Sequence, residues 1–391
     1  MTATILPPGF DEHWSSMTLG EIANYHRDTV DPRRYPSRLF EHYSLPAFDS
    51  GQGPIKEHGS AIESIKFVLP PDAVMVSKLN PRIPRVWAPE KIGKNAISST
   101  EFLVLTARAG VKRSFLHWLL RSDVVGDRMK RLAVGTTGSH ARIHPTQVRA
   151  IEVQVPGERE QYAIAKALDD IDKLISALTA LITKKQAIKQ GMMQELLTGR
   201  TRLPGFRGKW IEVRLGDISK IKTGTRNNQD KTELGRYPFF VRSSHVERID
   251  SYSYDCEAIL IPGEGGIGSI FHYINGKFEV HQRVYKISDL ANGISVKFIY
   301  YYMSHFFEEQ AVRNSVKATV DSLRLPTFKN FSIVLPADIR EQQAIADAST
   351  NADSLIASLE RLMTKKQAIK QSMMQELLTG RTRLPVQETV A

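Results

Sequence analysis

The chain reads as an α+β protein: two mixed α/β domains joined by two long helices that pack as an antiparallel coiled coil with pseudo-twofold symmetry. Three observations predict this. Residues 183–204, TKKQAIKQGMMQELLTGRTRLP, return as residues 364–385 with Ser372 in place of Gly191. The same offset of 181 carries upstream without a gap, placing Glu160 on Glu341, so the repeat is longer than its near-identical part. Apolar residues inside the repeat then follow a coiled-coil spacing. A period near 180 residues is far longer than a solenoid unit and indicates two domain-sized halves.

In the first copy Ile164, Leu168, Ile171, Ile175, Leu178 and Ile182 alternate spacings of four and three, which is an a/d seam. The second copy keeps the register at Ile345, Ser349, Ala352, Ile356, Leu359 and Met363, with Ser349 and Ala352 weakening its first part. Beyond Ile182 the seam would fall on Lys185 and Lys189, so the stripe is expected to shift to Ile188, Met192 and Leu196. No proline interrupts residues 158–198, and Thr198-Gly199 supplies a C-terminal stop. A helix of that length spans roughly 60 Å. Its charge is segregated, with Glu158, Glu160, Asp169, Asp170 and Asp172 preceding Lys184, Lys185, Lys189, Arg200 and Arg202. The second copy repeats the bias, from Glu341, Asp347 and Asp353 to Lys365, Lys366, Lys370, Arg381 and Arg383. Antiparallel packing sets each acidic half beside a basic one, whereas parallel packing opposes like charges. The alternative, two surface helices of separate domains, leaves the near-identity unexplained.

In chain order, the expected organisation is a first domain over residues 1–157, a spacer helix over 158–204, a second domain over 205–339, a second spacer over 340–385 and a flexible tail, 386–391. Each domain ends on a proline-preceded apolar run, residues 142–155 and 323–336, aligned at the same offset of 181. Leu19-Gly20-Glu21-Ile22 near the start resembles Leu215-Gly216-Asp217-Ile218 after the first repeat. Strands are predicted at Ala73–Val76, Glu101–Leu105, Ala258–Ile261 and Val280–Ile287. One helix is predicted in each domain, Phe115–Arg121 extending to Lys130 and Val296–Phe307 extending to Val312.

Composition bounds what these domains do. The 391 residues are 41% apolar, enough for two cores, and carry a net charge of +11 spread over both halves, a field that attracts polyanions. A single cysteine, Cys256, excludes a disulfide framework and a cysteine-rich zinc site. The first twenty residues lack a basic start followed by an apolar run, and no stretch reaches 18 uncharged apolar residues, so a cytoplasmic location is expected.

The loops gather basic, amide and hydroxyl side chains, the groups that bond phosphates and base edges. In the first domain these DNA-contact candidates are Lys78, Asn80, Arg82, Arg85, Lys91 and Lys94, then Thr137, Ser139, His140 and Arg142 beside Thr136. In the second they are Thr223, Thr225, Arg226, Asn227, Asn228 and Gln229, then Arg242, Ser243, Ser244 and His245, then His281, Gln282 and Arg283. Taken singly, each is better explained by surface solvation than by base contact; only the clusters carry the reading. A guanidinium fork matches guanine O6 and N7, which makes Arg226 and Arg283 the first candidates for base contacts, and Lys78 and Lys94 those for phosphates.

Catalytic and cofactor motifs fail on context. Residues 263–268 satisfy G-x-G-x-x-G after a strand, but a β-type pattern with an Asn275-Gly276 hairpin signal follows where a dinucleotide site needs a helix. A tight turn is expected there instead. Asn80-Pro81-Arg82-Ile83 lacks the second proline and the aromatic of an amino-methyltransferase motif. No phosphate-binding Walker loop, paired metal-ligand spacing or Ser-His-Asp signal stands out, and His144 and His272 read as structural or solvated.

Two segments of about 150 residues, each closed by a proline-preceded apolar run and an Arg-Glu-Gln helix start (Arg159-Glu160-Gln161, Arg340-Glu341-Gln342), resemble the specificity subunit of type I restriction-modification enzymes. The repeat KKQAIKQGMMQELLTGRTRLP is similar to that family's helical spacers. Leu215–Ile218 with Lys222-Thr223-Gly224-Thr225, and the run Ile261–Gly268, resemble its second target-recognition domain; the first departs more, since Asn24–Asp28 has no Thr-Gly pair. The resemblance implies a non-catalytic reader of a split, asymmetric DNA site, one half per target-recognition domain, with the gap set by the coil. It also implies two modification subunits that methylate adenine with S-adenosylmethionine, and restriction subunits using ATP and Mg²⁺, with no cofactor on this chain.

Two other classes stay open on the residues alone. One is a coiled-coil interaction scaffold whose basic heads bind proteins, or DNA without sequence preference; the other is a self-sufficient DNA enzyme, which the missing motifs disfavour. The docking face for partners is open too, with Met192, Met193, Met373 and Met374 either coil core or an adaptable contact.

Overall fold

The computed structural model describes residues 14–135, 141–266, 268–313 and 323–384, so the tail at 386–391 lies outside the described residues. Two long helices, Glu158–Leu197 and Ile339–Leu377, run through both of the compact units into which the chain divides. The first unit comprises Met1–Leu178 and Leu362–Ala391, and the second Thr179–Arg361. Each unit therefore holds one α/β domain, the first half of the helix that follows it, and the second half of the other helix.

In the first unit Ser15–Thr18 pairs antiparallel with Glu152–Val155, bringing the domain's entry and exit together. The Leu19–Ile22 turn follows, closed by a capping box in which the Glu21 carboxylate accepts from Thr18 N at 2.7 Å. A four-stranded sheet is built in the order Ala23–His26, Phe102–Ala107, Val74–Ser77, Val86–Trp87. A five-stranded sheet takes the order Thr29–Val30, Lys66–Val68, Ala96–Ser98, Leu39–Tyr43, Ile55–His58. The strands expected at Ala73–Val76 and Glu101–Leu105 are present, shifted by a residue or two. The single helix expected from Phe115 to Lys130 is instead two, Arg113–Arg121 and Asp123–Leu132. Ser122 leaves helical geometry at ψ 152° and its Oγ accepts from Val125 N, so it ends one helix and caps the next.

The second unit pairs Trp210–Arg214 with Ser332–Pro336 in the same way. Its six-stranded sheet runs Lys220–Thr223, Val284–Ser288, Tyr254–Pro262, His272–Val280, Tyr237–Phe240, Val246–Ile249. The helix Val296–Arg313 forms as expected. Two predicted features differ. The run Val280–Ile287 is broken at His281-Gln282-Arg283, because His281 N turns to the Phe240 carbonyl. Asn275-Gly276 makes no hairpin turn but lies inside the strand His272–Val280, Gly276 opposite Cys256 at φ 131°. A two-residue turn of that type needs positive φ at both residues, and Asn275 does not adopt it.

The closing strands also correct the alignment at 181. Val153 and Val155 are buried where the second unit buries Ile333 and Leu335, so the structural offset there is 180. With that offset Arg149 matches Lys329, and both lie against the glycine of the Leu-Gly-acid-Ile turn. A Cβ on Gly20 would stand 3.3 Å from Arg149 Cβ, and one on Gly216 would stand 2.9 Å from Lys329 Cβ. The glycine of that motif is needed for close packing.

The seam is partly a domain core. Ile164 and Leu168 pack with Leu19, Ile22, Leu103, Leu105, Phe115 and Leu119, with Met374 and Leu377 of the second helix, and with Leu378 just past its end. In the second unit Ile345 packs with Leu215, Ile259, Ile261 and Phe328, and with Met193, Leu196 and Leu197 of the first helix. Ile171, Leu178, Ile182 and Ile356 are also buried, while Ile175, Leu359 and Met363 are half-buried. The stripe beyond Ile182 differs from expectation. Ile188 is 52% exposed, and burial passes to Met193, Leu196 and Leu197, with Met192 and Met373 packed at the edges of the cores.

Ion pairs fix the direction of packing. In the first unit Arg383 grips Glu160 with two bonds of 2.6 Å, and Lys370 pairs with Asp172. In the second Arg202 grips Glu341 at 2.5 and 2.6 Å, and Lys189 pairs with Asp353. Numbers rise on one helix as they fall on the other, so the helices are antiparallel within each unit. Each guanidinium also lies over an indole, Arg383 over Trp14 at 5.7 Å and Arg202 over Trp210 at 5.6 Å. The glutamines of the two Arg-Glu-Gln starts repeat one another. Gln161 Nε2 donates to the Gly110 and Pro156 carbonyls and its Oε1 accepts from Lys112 N; Gln342 does the same with Gly293, Pro336 and Ser295.

Because the Glu341 side chain is 1% exposed, removing it leaves Arg202 without its counter-charge. Glu341→Ala is expected to cost about 3–5 kcal/mol in denaturant unfolding, with part regained on adding Arg202→Met. A second prediction concerns His117, whose pKa burial pushes down to about 4, with Arg121 and Arg113 adding to the effect. The unfolded chain takes up this proton near the ordinary histidine value, so stability is complete above about pH 6.5 and is lost as pH falls towards 4. The difference in unfolding free energy between wild type and His117→Phe should change by up to about 3 kcal/mol across that window.

Candidate nucleic-acid interface

In the second unit three sequence-distant loops meet at one end of the six-stranded sheet. Gly224 opens the first, and a Cβ there would coincide with the Val280 carbonyl, so only glycine lets the loop turn against that strand. Arg226 then pairs across a backbone bridge with His281, and Gln282 N donates to the Arg226 carbonyl at 2.8 Å. Gln282 Nε2 donates to Asn227 Oδ1, and Asn227 N is held by the Asp230 carboxylate at 2.8 Å. Residues 224–230 and 281–283 thus form one platform. The third loop, Arg242–His245, is tied to it through Glu264, which pairs with Arg242 at 3.3 Å and Arg283 at 3.2 Å. His272 Nε2 meets the Ser243 carbonyl at 3.1 Å and Ser243 Oγ donates to the His245 carbonyl.

Thr223, Thr225, Asn227, Asn228, Gln229, Arg242, Ser244, His245, Gln282 and Arg283 are exposed here, and Arg226 and Ser243 are half-buried. His281 is different: it is 4% exposed, and its Nδ1 accepts from Arg283 N at 3.0 Å. Burial holds its pKa below the usual value, with Arg242 and Arg283 adding to the effect, consistent with a neutral ring that supports the loop. Two acids escaped sequence reasoning. Glu264 balances two arginines, and Glu279, with its side chain fully buried, lies 3.5 Å from Arg226 while accepting from Ser253 Oγ at 2.7 Å. Glu264 sits in the glycine turn 263–266, where Gly265 and Gly266 have φ of 72° and 70°. The strand His272–Val280 follows, not a helix, as the rejection of a dinucleotide site requires.

The first unit gathers its candidates less completely. Lys78, Asn80 and Arg142 are brought together by the backbone bonds Ile143 N to the Lys78 carbonyl and Asn80 N to the Ala141 carbonyl. Asn80 adopts φ 47°, and Arg142 forks onto Glu101 at 3.1 and 3.2 Å. Arg82 is exposed on the following turn. Arg85 is 11% exposed and forks onto Asp49 at 2.7 and 2.9 Å, which spends it inside the fold. Lys91 and Lys94 are exposed on the loop before Ala96–Ser98, where Asn95 Nδ2 donates to the Leu39 carbonyl. Thr137, Ser139 and His140 lie outside the described residues, as does Thr136. His144 caps the short helix Pro145–Arg149 through Thr146. Among the described residues no His, Cys, Asp and Glu cluster could hold a metal, and no helix is long and apolar enough to cross a membrane.

Comparison with known proteins gives matches over part of the chain by sequence and over nearly all of it by fold. Residues 207–371 match the family model described as the type I restriction modification DNA specificity domain. The chain is 30% identical over 162 residues to the type I restriction enzyme EcoDI specificity subunit of Escherichia coli, a match covering 41% of this chain and 34% of that one. It is 23% identical over 267 residues to the MjaVIII specificity subunit of Methanocaldococcus jannaschii, covering 60% and 63%. These matches thus span about a third and just under two thirds of the two curated relatives. The fold is shared with the type I restriction-modification S subunit from M. genitalium, at TM-score 0.68 and 15% identity over 96% of this chain and 98% of that one. Residues 207–371 are thus similar to the DNA specificity domain of type I restriction-modification systems.

Gly224→Ala should push the first loop off the Val280 carbonyl. An overpacking cost of about 1–3 kcal/mol is expected in thermal unfolding, with the exposed residues of 225–229 more accessible to proteolysis.

Proposed function

We propose that this chain is the non-catalytic specificity subunit of a type I restriction-modification assembly, reading a bipartite asymmetric site in double-stranded DNA. Each unit reads one half through its loops, and the two long helices set the unread gap. The chain recruits two adenine-methyltransferase subunits and ATP-driven restriction subunits in the cytoplasm, and S-adenosylmethionine, ATP and Mg²⁺ belong to those partners. The observation that carries this reading is the platform at 224–230, 242–245 and 281–283, lying inside the stretch that matches the DNA specificity domain. Arg226 and Arg283 present guanidinium forks there for guanine O6 and N7, each aligned by a glutamate.

The test is to sequence methylated adenines in cells holding the chain with its partner subunits. Two short motifs with an unread gap are expected. Arg283→Ala should relax one base in one motif, a loss worth about 1–3 kcal/mol, and leave the other motif unchanged. Inserting one helical turn after Ile182 and another after Met363 should lengthen the gap alone. Methylation without sequence preference would contradict the reading.

A further inference from the structure

Between the edge strand Ala23–His26 and the short helix Pro145–Arg149 of the first unit lies a cavity of about 400 Å³. Arg27, Arg108 and Arg149 line it with Asn24, Tyr25 and Thr146, and no acidic side chain does. Ion pairs hold other arginines of this unit: Arg33 has Asp31, Arg142 has Glu101 and Arg121 has Asp172. Among the described residues, Arg27, Arg108 and Arg149 form no ion pair.

Each of the three is held by something uncharged. Arg27 lies over the Tyr25 ring at 5.9 Å, and Arg108 Nε donates to Asn24 Oδ1 at 3.0 Å. Arg149 lies along the Leu19–Ile22 turn at Gly20, where a Cβ would stand 3.4 Å from its Nε. The acid acting on Arg108 from nearby is Glu21, whose carboxylate is committed to Thr18 N and Oγ1 at 2.7 and 2.8 Å. The second unit has Lys329 over Gly216 at the equivalent point, but there Lys220 is paired with Asp289 at 3.5 Å.

Three oriented guanidiniums with no ion pair among the described residues, set around one cavity, suit an oxyanion, and their forks match phosphate oxygens. All three are exposed rather than sunk. That suits a phosphate on a large rigid polymer, which stays mostly outside the cavity; a small metabolite is usually engulfed. We propose that Arg27, Arg108 and Arg149 form a receptor for a backbone phosphate of double-stranded DNA, a contact that fixes the register of the first unit without reading sequence. The proposal rests on the DNA-reading function argued above and adds a site to it.

The experiment titrates the full-length chain with fluorescein-labelled duplex DNA over a range of NaCl concentrations, and separately with inorganic phosphate by calorimetry. Replacing Arg27, Arg108 and Arg149 together by Gln should lower the slope of log affinity against log salt by about 0.9 for the lost phosphate. Affinity should then be roughly eightfold weaker near 0.1 M salt, alike for every sequence tested. The triple Lys variant should retain the slope, and Arg149→Gln alone should shift it in the same direction with an unchanged thermal midpoint. An unchanged slope in the Gln variants overturns the proposal. If the wild type, but not the Gln variant, also saturates with inorganic phosphate while the DNA slope stays put, the cavity serves a free phosphate and the DNA assignment is wrong. A wild-type chain that binds duplexes without preference, yet whose slope still responds to the variant, would instead refute the specificity function and leave the receptor standing.

Discussion

The buried arginine–glutamate fork at the start of each long helix is the interaction on which the rest of the structure depends. Glu160 and Glu341 are buried at the first helical turn, and each is matched by an arginine just beyond the end of the other helix, Arg383 or Arg202. A buried carboxylate without that partner is strongly disfavoured, so the ends of the two helices must meet. The adjacent glutamines, Gln161 and Gln342, then tie each helix start to its own domain through three backbone bonds. Short Arg-Glu-Gln and Gly-Arg-Thr-Arg-Leu-Pro segments thereby specify both helix direction and domain attachment. This gives the near-identity of the two copies a physical reason: both copies form the same clamp.

The domains hung on these clamps are free to differ where they do not touch them. The first builds two sheets of four and five strands, and the second a single sheet of six. What they share is the entry and exit: a two-stranded closure, a Leu-Gly-acid-Ile turn packed through its glycine, and a buried aliphatic pair, Val153 and Val155 or Ile333 and Leu335. In the second unit the loops at the sheet end keep arginines and acids in balance, with Glu264 between Arg242 and Arg283 and Glu279 behind Arg226. Such pairing aligns the guanidiniums and limits their mutual repulsion.

The helices were legible in the sequence because a/d spacing and segregated charge act along one element, where sequence distance and spatial distance agree. Their finer register was not. The choice of Met193 over Ile188 depends on the domain core that receives the side chain. The loops showed their chemistry but not their geometry: nothing local marks Arg85 as spent on Asp49, His281 as a buried support, or Glu264 as a shared counter-ion. Asn275-Gly276 misled for the same reason, since pairing with a nine-residue strand overrode a local turn preference. The three arginines of the first unit's cavity come from three separate elements, and only folding brings them to one place.

Antiparallel packing of the two long helices is tested most directly by zero-length carbodiimide coupling, which joins an ammonium to a carboxylate only in contact, followed by mass spectrometry of the intact chain. Intramolecular links Lys370–Asp172 and Lys189–Asp353 are expected together. Their absence, with cross-links of a longer bifunctional amine reagent joining Lys189 to Lys370 instead, would mean that the basic halves lie side by side and would contradict the architecture.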